Sequence, residues 1–197
     1  MPIQALIIIA HPGNASFSHA MADAARETLT THGATVIAHD LYAEQFNPVQ
    51  PTGEAGNTAS ADPLVEQHCA DLQAADLILI FHPNWWGQPP AILKGWIDRV
   101  LRLDTAYGYP PGTGYEGVPI GLLKARAAFV FNTSNTPPER ERDTFGDPLQ
   151  DIWTRCVFPL CGVEDVTRRM YGPMSGSTFD QRAGWLEEVR GLARSKL

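Results

Sequence analysis

Residues 74–101 read AADLILIFHPNWWGQPPAILKGWIDRVL. A strand, a loop and a helix follow one another here in a single pass. The run 76–81, DLILIF, is continuously apolar after its aspartate, which suits a strand covered on both faces. Residues 82–88 read as a loop. Residues 89–101 read as a helix opened by proline in its first turn. Ile92, Leu93, Trp96, Ile97, Val100 and Leu101 share one side of it at helical spacing, so Trp96 reads as core. Lys94 and Asp98 form an i,i+4 pair.

The same alternation repeats outward. Residues 3–10 are a second buried strand, followed by a helix over 16–31 with Gly33 at its C-cap. Strands are expected at 34–39, 125–131 and 164–171. Helices are expected at 63–75, 145–160 (where Pro159 limits the end) and 178–196. Residues 48–61, rich in Pro, Gly, Thr and Ala, read as an exposed insertion. Residues 104–121, loaded with Gly, Pro and Tyr, form a long loop of the kind that is usually functional, and a pocket lid is the expectation. Strand–helix alternation repeated about five times predicts an α/β protein with a five-stranded parallel sheet and helices on both faces.

Bulk properties exclude several classes. The chain of 197 residues is long enough for one sizeable core, so one domain spanning 1–197 is expected. The formal net charge of -7 gives neither the basic footprint that nucleic acid requires nor attraction to an anionic membrane. The apolar run 5–10 has no basic residues before it and falls well short of the ~20 residues of a membrane span. Cys69, Cys156 and Cys161 show no CxxC spacing. A disulfide framework and a zinc site are both poorly supported, and reduced thiols in the cytoplasm are expected.

In doubly wound sheets ligands bind outside the carboxyl ends of the strands, at the switch point. That directs attention to three loops. In the first, His11, Ser16, Phe17 and Ser18 lie at a helix start, where hydroxyls either cap the helix or meet a phosphate. This first loop carries neither GxxxxGK[ST] nor GxGxxG. In the second, Pro83, Asn84, Trp85, Trp86 and Gly87 offer a flat aromatic wall for a planar heterocycle; packing of both indoles against the next helix is the alternative. In the third, Asn132, Thr133, Ser134 and Asn135 suit the polar edge of a ring such as a flavin pyrimidine, or else stabilise a turn. His11 and His82 lack metal-ligand company, so no metal is expected.

These residues resemble the NAD(P)H:quinone oxidoreductases of the flavodoxin-like fold, the DT-diaphorase type, and the related quinone-reductase-like regulators of potassium efflux. The resemblance is carried by AHPGNASFSHAMADAA at 10–25, HDLYAEQFNP at 39–48 and the opening stretch 74–101. It implies a flavodoxin-like fold, FAD or FMN as cofactor, NAD(P)H as co-substrate, a quinone or similar acceptor, and a homodimer. It places His11, Ser16, Phe17 and Ser18 at the flavin phosphate and ribityl chain. Pro83, Asn84, Trp85 and Trp86 then flank the ring, and Thr133, Ser134 and Asn135 meet its polar edge. Tyr107 and Tyr109 fall in a segment resembling the family's aromatic pocket wall, and are the catalytic candidates.

The chain departs from that pattern in the third loop. The family's Thr-Thr-Gly-Gly, followed by a Tyr and a His, is here Asn132-Thr133-Ser134-Asn135, with Phe145 near the place of the His and no Tyr before Tyr171. No titratable side chain is thereby assigned to proton transfer, and backbone N–H groups of residues 85–87 are expected to stabilise charge on the reduced ring. A flavin-binding regulatory subunit and a one-electron flavodoxin-like carrier stand as alternatives. NAD(P)H oxidation with a quinone by the purified protein separates the enzyme from the regulator.

Overall fold

A strand that is apolar at every position has no face to give to water. The computed structural model, which describes residues 2–55, 59–113 and 116–197, meets that demand with one parallel sheet between two helical layers. The strands are β1 (Gln4–Ile9), β2 (Thr35–Asp40), β3 (Leu77–Pro83), β4 (Tyr107–Gly108), β5 (Ile120–Gly121), β6 (Ala127–Thr133) and β7 (Val166–Tyr171). The main sheet runs in the order β2-β1-β3-β6-β7, and every pairing in it is parallel. That is the doubly wound order whose switch point lies between β1 and β3. The short strands β4 and β5 form a separate antiparallel pair.

Period-two alternation sorts the strand residues between the two layers. Ile7, Leu79, Phe129 and Phe131 face α1 (Phe17–Thr31) and α7 (Phe179–Arg194). Ile8, Ile80, Ala128 and Val130 face α2 (Pro63–Ala74) and α3 (Ala91–Val100). Trp96 belongs to this second core, fully buried, with its indole N–H donating to His68 Nδ1 at 2.9 Å. Among the described residues no helix is long and apolar enough to cross a membrane.

Both central strands run further than the apolar pattern suggests. β3 continues through His82 and Pro83, which pair with Asn132 and Thr133 of β6. Two expected loops therefore begin as strand, and Asn132 is wholly buried. The expected single helix over 145–160 is also corrected. Residues 138–145 already form a helix, α4 (Pro138–Phe145), which ends where Gly146 (φ 74°) and Asp147 (φ 44°) turn left-handed. The chain restarts as α5 (Pro148–Asp151), widens into a π-helical turn (Ile152–Val157) and closes as α6 (Phe158–Leu160). Pro159 explains the widening, since its ring and missing N–H are incompatible with a regular α-turn onto residue 155.

The insertion 48–61 is mostly exposed, as expected, but it is not loose; its residues 56–58 lie outside the described residues. Arg99 of α3, 2% exposed, reaches into it. Its guanidinium donates to both carboxylate oxygens of Glu54 at 2.7 and 2.9 Å and to the Asn47 carbonyl at 2.7 Å. Beside it, the Pro48 backbone packs so closely that a Cβ on Gly95 would lie 2.2 Å from the Pro48 carbonyl oxygen.

Candidate functional site

The carboxyl ends of β1, β3 and β6 surround a cleft of about 810 Å³, within the range typical of small-molecule sites. Its floor is set at α1. Ser16 is the N-cap, its Oγ accepting from the His19 N–H. His19 is itself held, Nδ1 on Ser16 Oγ at 2.8 Å and Nε2 on Asp40 at 2.9 Å. Capping is therefore real. The N–H groups of Phe17 and Ser18 have no partner among the described residues, which leaves two donors at the positive end of the helix dipole. His11 lines the cleft; burial keeps its pKa below the ordinary histidine value. Its Nδ1 accepts from the Gly13 N–H at 3.0 Å, so Nε2 carries the ring proton.

The second loop is a tight hairpin turn. Trp85 and Gln88 exchange backbone hydrogen bonds of 3.1 and 3.0 Å. Between them Trp86 (φ 58°) and Gly87 (φ 69°) both lie in the left-handed region, as a type I′ turn requires. For a residue as bulky as tryptophan that conformation is an outlier, and such outliers cluster at binding sites. The turn leaves Trp86 100% exposed at the rim and Trp85 43% exposed. It also narrows the expected set of charge-stabilising donors. Trp85 N–H bonds Gln88 and Gly87 N–H bonds Asn84 Oδ1 at 2.9 Å, leaving only the Trp86 N–H without a described partner.

The third loop is braced from behind. Ser134 Oγ accepts from the Thr136 N–H at 3.0 Å, and Asn135 Oδ1 accepts from the Ser175 N–H at 2.8 Å. Thr133, Ser134 and Asn135 all line the cleft, as do His11, Ser16, Phe17, Pro83, Asn84, Trp85, Trp86 and Gly87. Ser18 does not; it is fully buried, and its Oγ has no described partner. Tyr107 and Tyr109 are not among the lining residues either. They meet edge to face at 6.3 Å in and beside β4, so the expected lid tyrosines lie outside the cleft, and residues 114–115 of that segment lie outside the described residues.

The chain is similar to known proteins along most of its length. A family profile described as flavodoxin-like fold matches residues 4–191. The rat protein named NAD(P)H dehydrogenase [quinone] 1 is 38% identical over 93% of this chain and 74% of its own. A Ruegeria pomeroyi protein named FMN-dependent NADH:quinone oxidoreductase is 31% identical over 95% of this chain and 97% of its own. The solved NAD(P)H:quinone oxidoreductase of Methanothermobacter marburgensis superposes with a TM-score of 0.82 at 25% identity, covering 98% of each chain. The chain belongs to the flavodoxin-like quinone oxidoreductase family.

In this quinone oxidoreductase family member the cleft also takes in Thr136, Glu141, Phe145, Pro148 and Met174, of which the sequence points to Phe145, near the place of the family's His, and not to Glu141, Pro148 or Met174. Glu141 and Phe145 come from α4, whose one sequence signal was the Pro137-Pro138 pair at a helix start. Behind the cleft, His82 donates from Nδ1 to the Pro83 carbonyl at 2.8 Å, next to the turn that carries the tryptophans. Burial drives its pKa down to about 4, with Arg168 acting in the same direction. The sign follows from proton counting. The unfolded histidine binds a proton below about 6.5 and the folded one does not until about 4. Stability is thus full above pH 6.5 and is lost as pH falls toward 4, by about 3 kcal/mol from this group. Urea unfolding at pH 7.5 and 4.5 should show a smaller loss for His82→Phe than for the parent. Equal losses would sink the assignment.

His39, Glu44 and His68 bring three metal-ligating atoms within 4.8 Å of one another. Hydrogen bonding uses their lone pairs. His68 Nδ1 accepts from Trp96, so its Nε2–H faces Glu44 at 3.1 Å. Both nitrogens of His39 face carboxylates, Glu44 at 2.8 Å and Asp71 at 2.9 Å. Burial alone would lower the His39 pKa, but the two carboxylates outweigh it and raise it. The cluster is a buried ionic staple joining β2 to α2.

Proposed function

We propose that the chain is a single-domain, flavin-dependent NAD(P)H oxidoreductase that passes hydride from NAD(P)H to a quinone or similar acceptor. The observation that supports it best is the cleft itself: two N–H donors at the start of α1, an aromatic type I′ turn, and a braced polar loop around one cavity. The residues present fit FMN or FAD. The N–H groups of Phe17 and Ser18, with the Ser16 hydroxyl, suit the phosphate. Trp85 and Trp86 suit the faces and rim of a planar ring, and Thr133, Ser134 and Asn135 its polar edge. Bound flavin would supply the two-electron chemistry, and the protein supplies orientation and electrostatics.

Within that reading each part has a task. His11, its ring proton fixed on Nε2, donates toward the anion end. The Trp86 N–H is the donor left for negative charge developing at the ring edge. Trp86, Trp85 and Phe145 exclude water from the face where nicotinamide and acceptor alternate. Two copies of the chain are proposed to share the rim, because Trp86 and Phe145 (57% exposed) form an uncovered apolar edge. A cytoplasmic location suits the three free thiols Cys69, Cys156 and Cys161.

The test begins with the purified protein. Denaturation should release FMN or FAD, identified by mass, and the holoprotein should oxidise NADH or NADPH only when a quinone is supplied in quantity. A chain that neither carries flavin nor takes up added FMN or FAD refutes the reading. Bound flavin without turnover converts it to a regulatory subunit.

A further inference from the structure

Glu141 is the one carboxylate among the described residues that line the cleft. The residue is 3% exposed, it lines the cleft, and no described residue donates a hydrogen bond to its carboxylate. A carboxylate that lines a cleft with no protein partner is one of the few polar groups placed to meet a ligand there. The start of α4 gives partial support through its dipole, but no hydrogen bond. The surrounding charges are accounted for. His11 lies in the same cleft, and Asp147, whose N–H bonds the Glu141 carbonyl, is neutralised by Arg168 at 2.7 Å. Arg142 pairs with Asp143, and Arg140 is exposed on α4 itself.

The proposed reaction needs such a group. NAD(P)H gives up a hydride, and a quinone must gain two electrons and two protons to become a hydroquinone. One hydrogen arrives as the hydride. The other must enter as a proton from water. His11, whose Nδ1 accepts from Gly13 and whose Nε2–H faces the anion end, is the only other titratable side chain among the described residues lining the cleft.

We infer that Glu141 is the proton-handling residue of this cleft, relaying one solvent proton to the quinone oxygen in each turnover. Its carboxylate gains a proton from water at the cleft mouth, forming an O–H bond. That bond breaks as the new O–H forms on the reduced acceptor, and the carboxylate is restored. This role rests on the quinone-reductase reading above, and it fills the place left by the Tyr and His that the third loop lacks.

The test uses the flavin-loaded holoenzyme and Glu141→Gln, which keeps the volume and removes the acid. Quinone turnover should fall about 100-fold, the scale of a lost general acid. The midpoint potential of the bound flavin, followed against pH, should lose one break present in the parent. Glu141→Asp should recover part of the turnover. Unchanged turnover together with an unchanged potential–pH curve overturns the inference. Should the glutamine variant not fold, Glu141→Asp carries the test. A loss of about tenfold at parental flavin content supports the role, and parental turnover overturns it. A parent chain that takes up no flavin overturns the functional reading instead, so the two failures are distinct.

Discussion

Replacing Arg99 with alanine should remove about 3–5 kcal/mol of stability, the usual cost of stranding one partner of a buried ion pair. Arg99 is buried at the base of α3 and bridges Glu54, Asn47 and Asp62, with its guanidinium 5.8 Å from the Phe46 ring centroid. Without it, Glu54 keeps its Ser60 contact but loses the cation that holds its pKa below the ordinary carboxylate value. The insertion would lose its anchor, and with it the packing of Pro48 on Gly95. Arg99→Lys should recover little, because a single ammonium cannot reproduce the forked contact. Urea unfolding at neutral pH measures both. A loss under 1 kcal/mol for the alanine variant would show that the insertion is held by packing alone.

Gly87→Val should act on the cleft rather than on the core. Gly87 sits at φ 69°, and an added Cβ would lie 2.6 Å from Pro148 Cγ. A β-branched residue cannot keep this turn, and the left-handed backbone alone costs roughly 1–2 kcal/mol. Relief requires the turn to move away from α5, carrying Trp85 and Trp86 with it. A displacement near 1 Å at a reacting centre costs about 100-fold in rate, and that is the expected loss in quinone reduction. Flavin content should fall as well, while the urea midpoint should drop far less than for Arg99→Ala. Retention of full flavin content and turnover would show that the turn does not position the ring.

Much of this architecture was legible because the strands are buried on both faces. ALIII, LILIF and AAFVF cannot be anything but interior, and helices between them force a parallel sheet. The three cleft loops followed from that topology. Pro83 and Asn132 misled because a proline and a polar residue look like strand ends, whereas pairing with neighbours carries both strands through them. α4 was hidden for a different reason: PERERDTF has no apolar stripe, so a helix that buries one carboxylate gives no periodic signal. The tyrosines at 107 and 109 do not line the cleft of the single chain, because composition marks a loop without saying where long-range pairing puts it. Arg99 lies on the same stripe as Trp96, but a charged residue there reads as an interruption until Glu54 is brought to it.

The fully exposed indole of Trp86, with Trp85 and Phe145 beside it, gives the cleft a calorimetric character. Whatever planar ligand or second copy settles there removes a large apolar area from water. Association at this rim therefore carries a negative heat-capacity change, and its enthalpy grows more favourable on warming while its entropy grows less so. The strained left-handed turn that holds Trp86 outward thus sets the temperature dependence of binding as well as its geometry.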